Sequence, residues 1–434
     1  MAEEMKVEII KRETIKPSSP TPPHLKIHTL SLLDQFQPKV YGKLVYFYPQ
    51  NHISSNQRSY QLKKSLSETL ARFYPLAGRI SNTTIDCNDE GAQYIEARYH
   101  GLLSTFLKQQ PDTLQQFSAA KIQSPESDSW PLLLVQATFF HCGGLALSIC
   151  LSHKSCDATS IGIFMKSWAE ISNGSRQTVF PEFNGTSYFP PAKFSTQRPA
   201  LELKKVELVT KRFVFDKSKL VKLKVEIASH SVQKPTRVEV VTALIWKCIM
   251  GASRSNASGP KRFVLKKAIN IRKRVDPPLP EHLVGNIVGS FAAWTEEHEQ
   301  EATLQGLIAL LRKGIREYSE TKAKRLREEG ASEMIYKDLK EASELFRSED
   351  TKVLIFTSLC NFELYEAADF GWGKPIWVTV PAVEVHGNLI YLMDTKDGGV
   401  EALVSLTKED MSLFETDPHL LTFTNSKVWF HSRC

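Results

Sequence analysis

Two apolar stretches, Pro131 to Phe140 and Leu145 to Leu151, flank His141-Cys142-Gly143-Gly144, and this pattern constrains the fold more than any other part of the chain. Both stretches are rich in Leu, Val, Ile and Phe, and the paired glycines supply the positive φ that a tight hairpin needs. The pattern predicts two paired strands buried on both faces. Downstream, Ile161, Phe164, Trp168 and Ile171 recur at helical spacing and Asn173-Gly174 supplies a stop, so a helix follows. Between the second strand and that helix runs Leu151-Ser152-His153-Lys154-Ser155-Cys156-Asp157. His153 and Asp157 therefore sit on a strand-to-helix loop, where a rigid scaffold can hold a polar side chain over a cavity.

A neutral imidazole there can take a proton from an alcohol or amine as that group attacks an electrophile, and return it to the leaving group. A carboxylate four residues on can orient the ring or pin the loop. His-x-x-x-Asp also recurs by chance, and a satisfied structural pair is the plainer reading. Two rival chemistries use the same residues. Cys150, His153 and Cys156 supply three ligands of the four that a closed zinc site wants, and no nearby Cys or His completes the set, so no metal is expected. Cys156 as a thiolate nucleophile is disfavoured because neighbours on one loop point apart; a small buried cysteine fits better.

At 434 residues the chain exceeds one typical core, and two domains of roughly 200 residues each are expected. Hydrophobic residues at 42% and charged residues at 24% are those of an ordinary soluble globule. Seven cysteines without a close-set framework fit a reducing compartment. No apolar h-region opens the chain and no run approaches a membrane span, so a cytoplasmic protein is expected. A net charge of +7, with no basic run interleaved with aromatics, gives no case for nucleic acid.

One stretch is more strongly basic. Lys261-Arg262, Lys266-Lys267 and Arg272-Lys273-Arg274 surround strand-forming Phe263-Val264-Leu265 and Ala268-Ile269. The plain reading is a solvated strand edge, which lysines protect from pairing. The sharper one is a phosphate site.

Elsewhere the pattern fits a second α/β unit. It begins after a Pro- and Phe-rich stretch from Tyr188 to Pro199, which opens a crossover loop over 191–207, with a strand from Lys211 to Phe215 and a helix capped by Asp216. Another helix opens on the capping box Thr236-Arg237-Val238-Glu239. Residues 296–350 read as a charged surface helix pair carrying Leu304, Leu307, Leu310 and Leu311 on one stripe. The run Asp369-Phe370-Gly371-Trp372-Gly373 predicts a backbone bend packed against an indole, with Asp369 capping the bend or binding a cation.

His153-x-x-x-Asp157 and Asp369-Phe370-Gly371-Trp372-Gly373 together resemble the BAHD family of plant acyl-CoA-dependent acyltransferases. The resemblance runs the length of the chain, through Pro17–Pro22, Phe73–Arg79, Asp86–Asp89, Lys211–Lys217 and Pro277–Pro280, and leans toward the family's alkaloid acetyltransferases. It implies an α/β fold of two chloramphenicol-acetyltransferase-like domains, each a mixed sheet flanked by helices, with a solvent channel between them. The division expected is 1–190 with 362–385 for the first domain, and 208–361 with 386–434 for the second.

The resemblance also implies roles. His153 is the general base, Asp157 pairs with Arg272 to support the loop, and Asp369 stands with the catalytic residues as essential through structure, inside the motif Phe370, Gly371, Trp372 and Gly373. Thr357 and Ser358 are the oxyanion candidates; Lys266, Lys267, Arg274 and Asn286 are those for coenzyme A. Many members of the family carry a tryptophan where this chain has Leu359. The implied reaction moves an acyl group, expected to be acetyl, from acyl-CoA to a hydroxyl of an alkaloid or terpenoid, with no resident cofactor, no covalent enzyme intermediate and a monomeric enzyme. The alternatives are a condensation domain using a carrier-bound thioester, disfavoured by Ser152 and Ala158 where that class has a second histidine and a glycine, and a non-catalytic acyl-CoA-binding relative, disfavoured by intact His153 and Asp157.

Overall fold

A computed structural model describes residues 7–108, 111–119, 130–175, 179–192, 207–255, 262–295, 302–381 and 387–425. The predicted hairpin forms from Leu133–Phe140 and Leu145–Ser152, antiparallel and buried at every position, with Gly143 at φ +81° in the turn. These strands lie inside a six-stranded mixed sheet whose spatial order is Val7–Ile15, Ala92–Tyr99, Leu133–Phe140, Leu145–Ser152, Tyr41–Tyr48 and Trp377–Thr379. Leu145, Leu147, Ile149 and Leu151 face the helices Ser55–Arg72 and Ala158–Ser172. The opposite face is closed by Phe47, Phe106, Phe117 and Phe140. Covering both faces explains why these strands read as continuous apolar runs rather than as alternating ones.

A second six-stranded mixed sheet has the order Val288–Thr295, Arg262–Asn270, Thr351–Ser358, Asn388–Asp394, Val400–Thr407 and Leu208–Phe215. Alternation divides its side chains cleanly. Phe263, Leu265, Leu354, Phe356, Ile390, Leu392, Ala402 and Val404 pack on the helices Arg237–Arg254 and Leu304–Glu317. Residues of the other parity look toward the first sheet: Met393 and Leu403 join the core cluster of the first body, with Leu359 and Tyr391 packed against it. The helix stops and starts match the local chemistry. Asp216 caps Lys217–Ile227, and Thr236 with Glu239 forms the full capping box of Arg237–Arg254.

One crossing of the chain ties the two bodies together. After Thr351–Ser358 the backbone leaves the second sheet, adds Trp377–Thr379 to the edge of the first beside Tyr41–Tyr48, and returns as Asn388–Asp394. Glu401, on the second sheet and 2% exposed, accepts from Thr379 Oγ1 at 3.1 Å and Trp377 Nε1 at 3.1 Å, and pairs with Arg212 at 2.6 Å. A short three-stranded sheet of Ile27–Thr29, Thr84–Asp86 and Arg79–Ser81 stands apart. Among the described residues no helix is long and apolar enough to cross a membrane. The 191–207 crossover falls almost wholly outside the described residues.

The Lys266-Lys267 stretch is a correction to the strand-edge reading. Arg262–Asn270 is an interior strand, hydrogen-bonded to Val288–Thr295 on one side and Thr351–Ser358 on the other.

Candidate active site

His153 leaves the buried strand Leu145–Ser152 at its C-terminal end, held there by its own N–H donating to Val40 C=O at 2.8 Å. Asp157 follows as the N-cap of Ala158–Ser172, with Oδ1 accepting from Ser160 N–H at 2.8 Å and Ser160 Oγ at 2.9 Å. The cap satisfies a helix N–H that has no partner within the helix.

The rest of this site comes from the other body. The loop between Arg262–Asn270 and Val288–Thr295 reaches across and closes on the strand-to-helix turn. Arg272 Nη1 lies 2.7 Å from Asp157 Oδ2 and Nη2 lies 3.2 Å from Oδ1, a bidentate pair between side chains that are 5% and 2% exposed. Arg272 Nη2 also donates to Leu283 C=O at 2.9 Å, and Ile287 N–H donates to Asp157 Oδ2 at 3.1 Å. Both oxygens of Asp157 are thus occupied by donors, so this carboxylate holds structure and has no lone pair directed at a reacting group.

Asn286, fully buried, fills the same loop. Its Oδ1 lies 2.9 Å from His153 Nδ1, while its Nδ2 donates to His153 C=O at 2.7 Å and to Asp34 Oδ1 at 2.9 Å. Assigning Asn286 to coenzyme A is therefore a correction: the amide is enclosed and fully used beside the histidine. Asp34 was not singled out in the sequence at all. It completes the capping box of Ser31, a visible Ser-x-x-Asp pattern, but its bond to Asn286 spans 252 residues.

The remaining candidates separate by burial and parity. Lys267 shares parity with Phe263, Leu265 and Ile269, and is buried against Thr242 Oγ1 at 3.2 Å. Desolvation lowers its ammonium to about 8. It cannot reach a coenzyme phosphate from the core. Lys266 has the opposite parity and is half-buried, Arg274 is exposed with Nη1 on Asn270 C=O at 2.5 Å, and Lys261 lies outside the described residues. Thr357 shares parity with Leu359, on the side toward the first body. Ser358 shares parity with Leu354 and Phe356, and its Oγ accepts Cys360 N–H at 3.3 Å, so its hydroxyl is turned away from that side. Cys156 is buried, and desolvation pushes its thiol well above the usual range, which leaves no accessible thiolate.

Asp369 builds the predicted bend. Its Oδ1 accepts from Gly371 N–H at 3.0 Å and Gly373 N–H at 3.1 Å, and both glycines sit at φ near +100°, a region that side chains rarely adopt. Phe370 is buried against Trp168 at a ring distance of 5.0 Å and stacks on Trp372 at 5.4 Å. Gln61 Nε2 donates to Phe370 C=O at 2.8 Å. The bend docks the crossing segment onto the first body. Grouping Asp369 with the catalytic residues is corrected to this role, since its side-chain hydrogen bonds go to the amides of its own turn and its carbonyl accepts from Asn173 Nδ2 on the first body.

The Transferase family matches residues 5–421 of the chain. The BAHD acyltransferase BIA1 of Arabidopsis thaliana is 38% identical over 433 residues, covering 97% of this chain and 98% of that protein. The chain belongs to the BAHD acyltransferase family. Stemmadenine O-acetyltransferase of Catharanthus roseus is likewise 38% identical, over 95% of this chain and 96% of its own. The crystal structure of vinorine synthase superimposes with a TM-score of 0.84 at 32% identity, over 97% of this chain and 99% of that one. As a BAHD enzyme the protein is an acyltransferase, and its two sheet-containing bodies are the fold of that family.

The position of Lys267 leads to a stability prediction. Burying an ammonium with one neutral partner is costly, and the drop from 10.5 to about 8 corresponds to about 3 kcal/mol. Between those values the unfolded chain binds more protons than the folded one, so stability rises with pH across that window. Lys267→Met is expected to raise the thermal midpoint, most below pH 8, with the gain fading toward pH 10.5. Calorimetry at pH 7 and pH 10 checks this, and a lower midpoint at pH 7 would show that the amine is needed where it is.

Proposed function

We propose that the protein transfers an acyl group, acetyl by preference, from coenzyme A to a hydroxyl of an alkaloid or terpenoid, with His153 as general base. The observation that carries this reading is the placement of His153: a half-buried imidazole on a rigid strand end, locked by a loop from the opposite body. Membership of the family and the name of the relative stemmadenine O-acetyltransferase support O-acetylation.

In this mechanism His153 takes the hydroxyl proton as the acceptor oxygen attacks the thioester carbonyl. The carbonyl π electrons move to oxygen and form a tetrahedral oxyanion, for which Thr357 is the candidate donor on the correct side of its strand. Collapse re-forms the carbonyl, breaks the carbon–sulfur bond and passes the proton from His153 to the departing thiolate. Oxygen attacks directly, so no acyl-enzyme forms. A preorganised oxyanion donor is worth on the order of 3 kcal/mol, comparable to the base itself. Lys266 and Arg274 remain the coenzyme phosphate candidates. Leu359, smaller than the tryptophan common in the family, leaves more room on the acceptor wall. The two domains divide as 1–190 with 362–385 and 208–361 with 386–434, and the enzyme works as a cytosolic monomer.

The test is incubation of the purified protein with radiolabelled acetyl-CoA and an extract of the source tissue, following label into hydroxylated metabolites. Acceptor-dependent release of the coenzyme thiol is expected. Label entering only a carrier-protein thioester, or thiol release independent of any acceptor, would overturn the reading.

A further inference from the structure

We propose that Asn286, anchored by Asp34, sets the tautomer of His153, so that the ring carries its proton on Nδ1 and presents the Nε2 lone pair to the acceptor hydroxyl. This rests on His153 being the base, and it adds two positioning residues that lie 252 residues apart in the chain.

The orientation of the Asn286 amide follows from its neighbours. Its Nδ2 stands 2.7 Å from His153 C=O and 2.9 Å from Asp34 Oδ1. A carbonyl oxygen can only accept. Asp34 receives the Ser31 N–H at 3.0 Å, the Ser31 Oγ at 2.5 Å and the Asn286 N–H at 2.8 Å as well, so its oxygens also act as acceptors. The NH2 end of the amide must therefore lie on this side, since a reversed amide would set an oxygen against two oxygens. That leaves Oδ1 facing His153 Nδ1 at 2.9 Å. An amide oxygen carries no proton, so Nδ1 must donate, and in the neutral ring the other nitrogen then holds the lone pair.

Burial keeps this arrangement in place. Asn286 is fully enclosed and Asp34 is 4% exposed, so neither can turn to water for a partner. The residue before Asn286, Gly285, has φ +144°, and its N–H donates to Ser160 Oγ at 3.0 Å, which fixes the loop to the helix capped by Asp157. The charged groups around the relay are His28, whose imidazole is lowered chiefly by burial against an opposing pull from Asp34; Lys154, which donates to Gln35 C=O at 2.6 Å; and the Asp157–Arg272 pair beyond the loop. The acceptor touching Nδ1 is neutral. It orients the ring through one hydrogen bond, and Asp34 stands behind it, in contact with the amide rather than with the ring.

Two measurements test this. In protein labelled with 15N histidine, the His153 signals, assigned by their disappearance in His153→Gln, should show Nδ1 as the protonated nitrogen and Nε2 as the pyridine-type one at a pH where the ring is neutral. A proton resident on Nε2 would overturn the proposal. This experiment needs no activity, so it stands apart from the failure of the base reading, which is judged by the His153 substitution.

The second measurement is the pH profile of Asn286→Asp. A carboxyl there must keep a proton on the oxygen that faces Asp34 and His153 C=O. The variant should therefore turn over only in the pH window where the His153 ring is neutral and the carboxyl still holds that proton, and lose kcat as pH rises beyond it, a limb the wild type lacks, while KM for acyl-CoA stays within about two-fold. Asn286→Leu should lose between about 10-fold and the full roughly 10²- to 10⁴-fold worth of a general base at every pH. A profile for Asn286→Asp that parallels the wild type to high pH would overturn the role of the amide.

Discussion

His153→Ala is expected to slow acyl transfer by roughly 10²- to 10⁴-fold, which is about 3–5 kcal/mol of barrier, while acyl-CoA binds with an unchanged dissociation constant. The side chain removed is the group proposed to accept the hydroxyl proton, whereas the basic coenzyme candidates Lys266 and Arg274 lie on the second sheet and its following loop. The substitution also strands Asn286 Oδ1, a buried acceptor, at a cost of about 1–3 kcal/mol. Stability should thus fall modestly, and the rate should fall far more than any loss of folded protein explains. Single-turnover kinetics with saturating acyl-CoA, beside a thermal melt and a binding titration, separate these effects. Retention of more than half the wild-type rate would reject the assignment.

The parts of the molecule legible in the sequence are those set by neighbours in the chain. The hairpin at Gly143, the Asp216 cap and the Thr236–Glu239 box depend on contacts within a few residues, and each forms as the pattern dictates. Parity along a strand is just as local, and it held a signal that the charge density of the basic stretch obscured. Lys267 alternates in step with Phe263, Leu265 and Ile269, which places it on the apolar face whatever its charge. Lysine density alone reports nothing about direction.

The support of the histidine was only partly legible. Resemblance to the family points to Arg272 for Asp157, but the partner of His153 Nδ1 lies 133 residues away, in a loop whose basic cluster Arg272-Lys273-Arg274 draws the reading toward phosphate rather than toward the histidine. Asp34 looks in the sequence like an ordinary capping residue, which it is; its second function appears only when the loop of the opposite body folds onto it. Long-range pairings of this kind are written in the topology rather than in any local pattern. The crossing segment Trp377–Thr379, which binds the two sheets into one molecule, is of the same kind.

The Asp157–Arg272 pair carries the largest expected effect on stability. Asp157→Ala removes one partner of a buried bidentate pair and leaves a guanidinium enclosed without its counter-charge, at about 3–5 kcal/mol. Loss of the helix cap adds about 0.5–2 kcal/mol. The thermal midpoint should therefore drop together with the rate, because the same carboxylate holds the loop from the second body that supports His153. Arg272→Met should destabilise by a similar amount from the opposite side, leaving Asp157 buried and short of donors. The double variant Asp157→Ala, Arg272→Met strands neither charge, so its loss should be smaller than the two single losses combined, with a coupling of about 0.5–3 kcal/mol. Asp157→Asn keeps an oxygen for Ser160 N–H and should fall between wild type and Asp157→Ala in both midpoint and rate. Denaturation and turnover measured on the wild type and these four variants decide the matter. If Asp157→Ala melts like the wild type yet has lost its activity, the carboxylate acts on the reaction directly and its place as loop support is wrong.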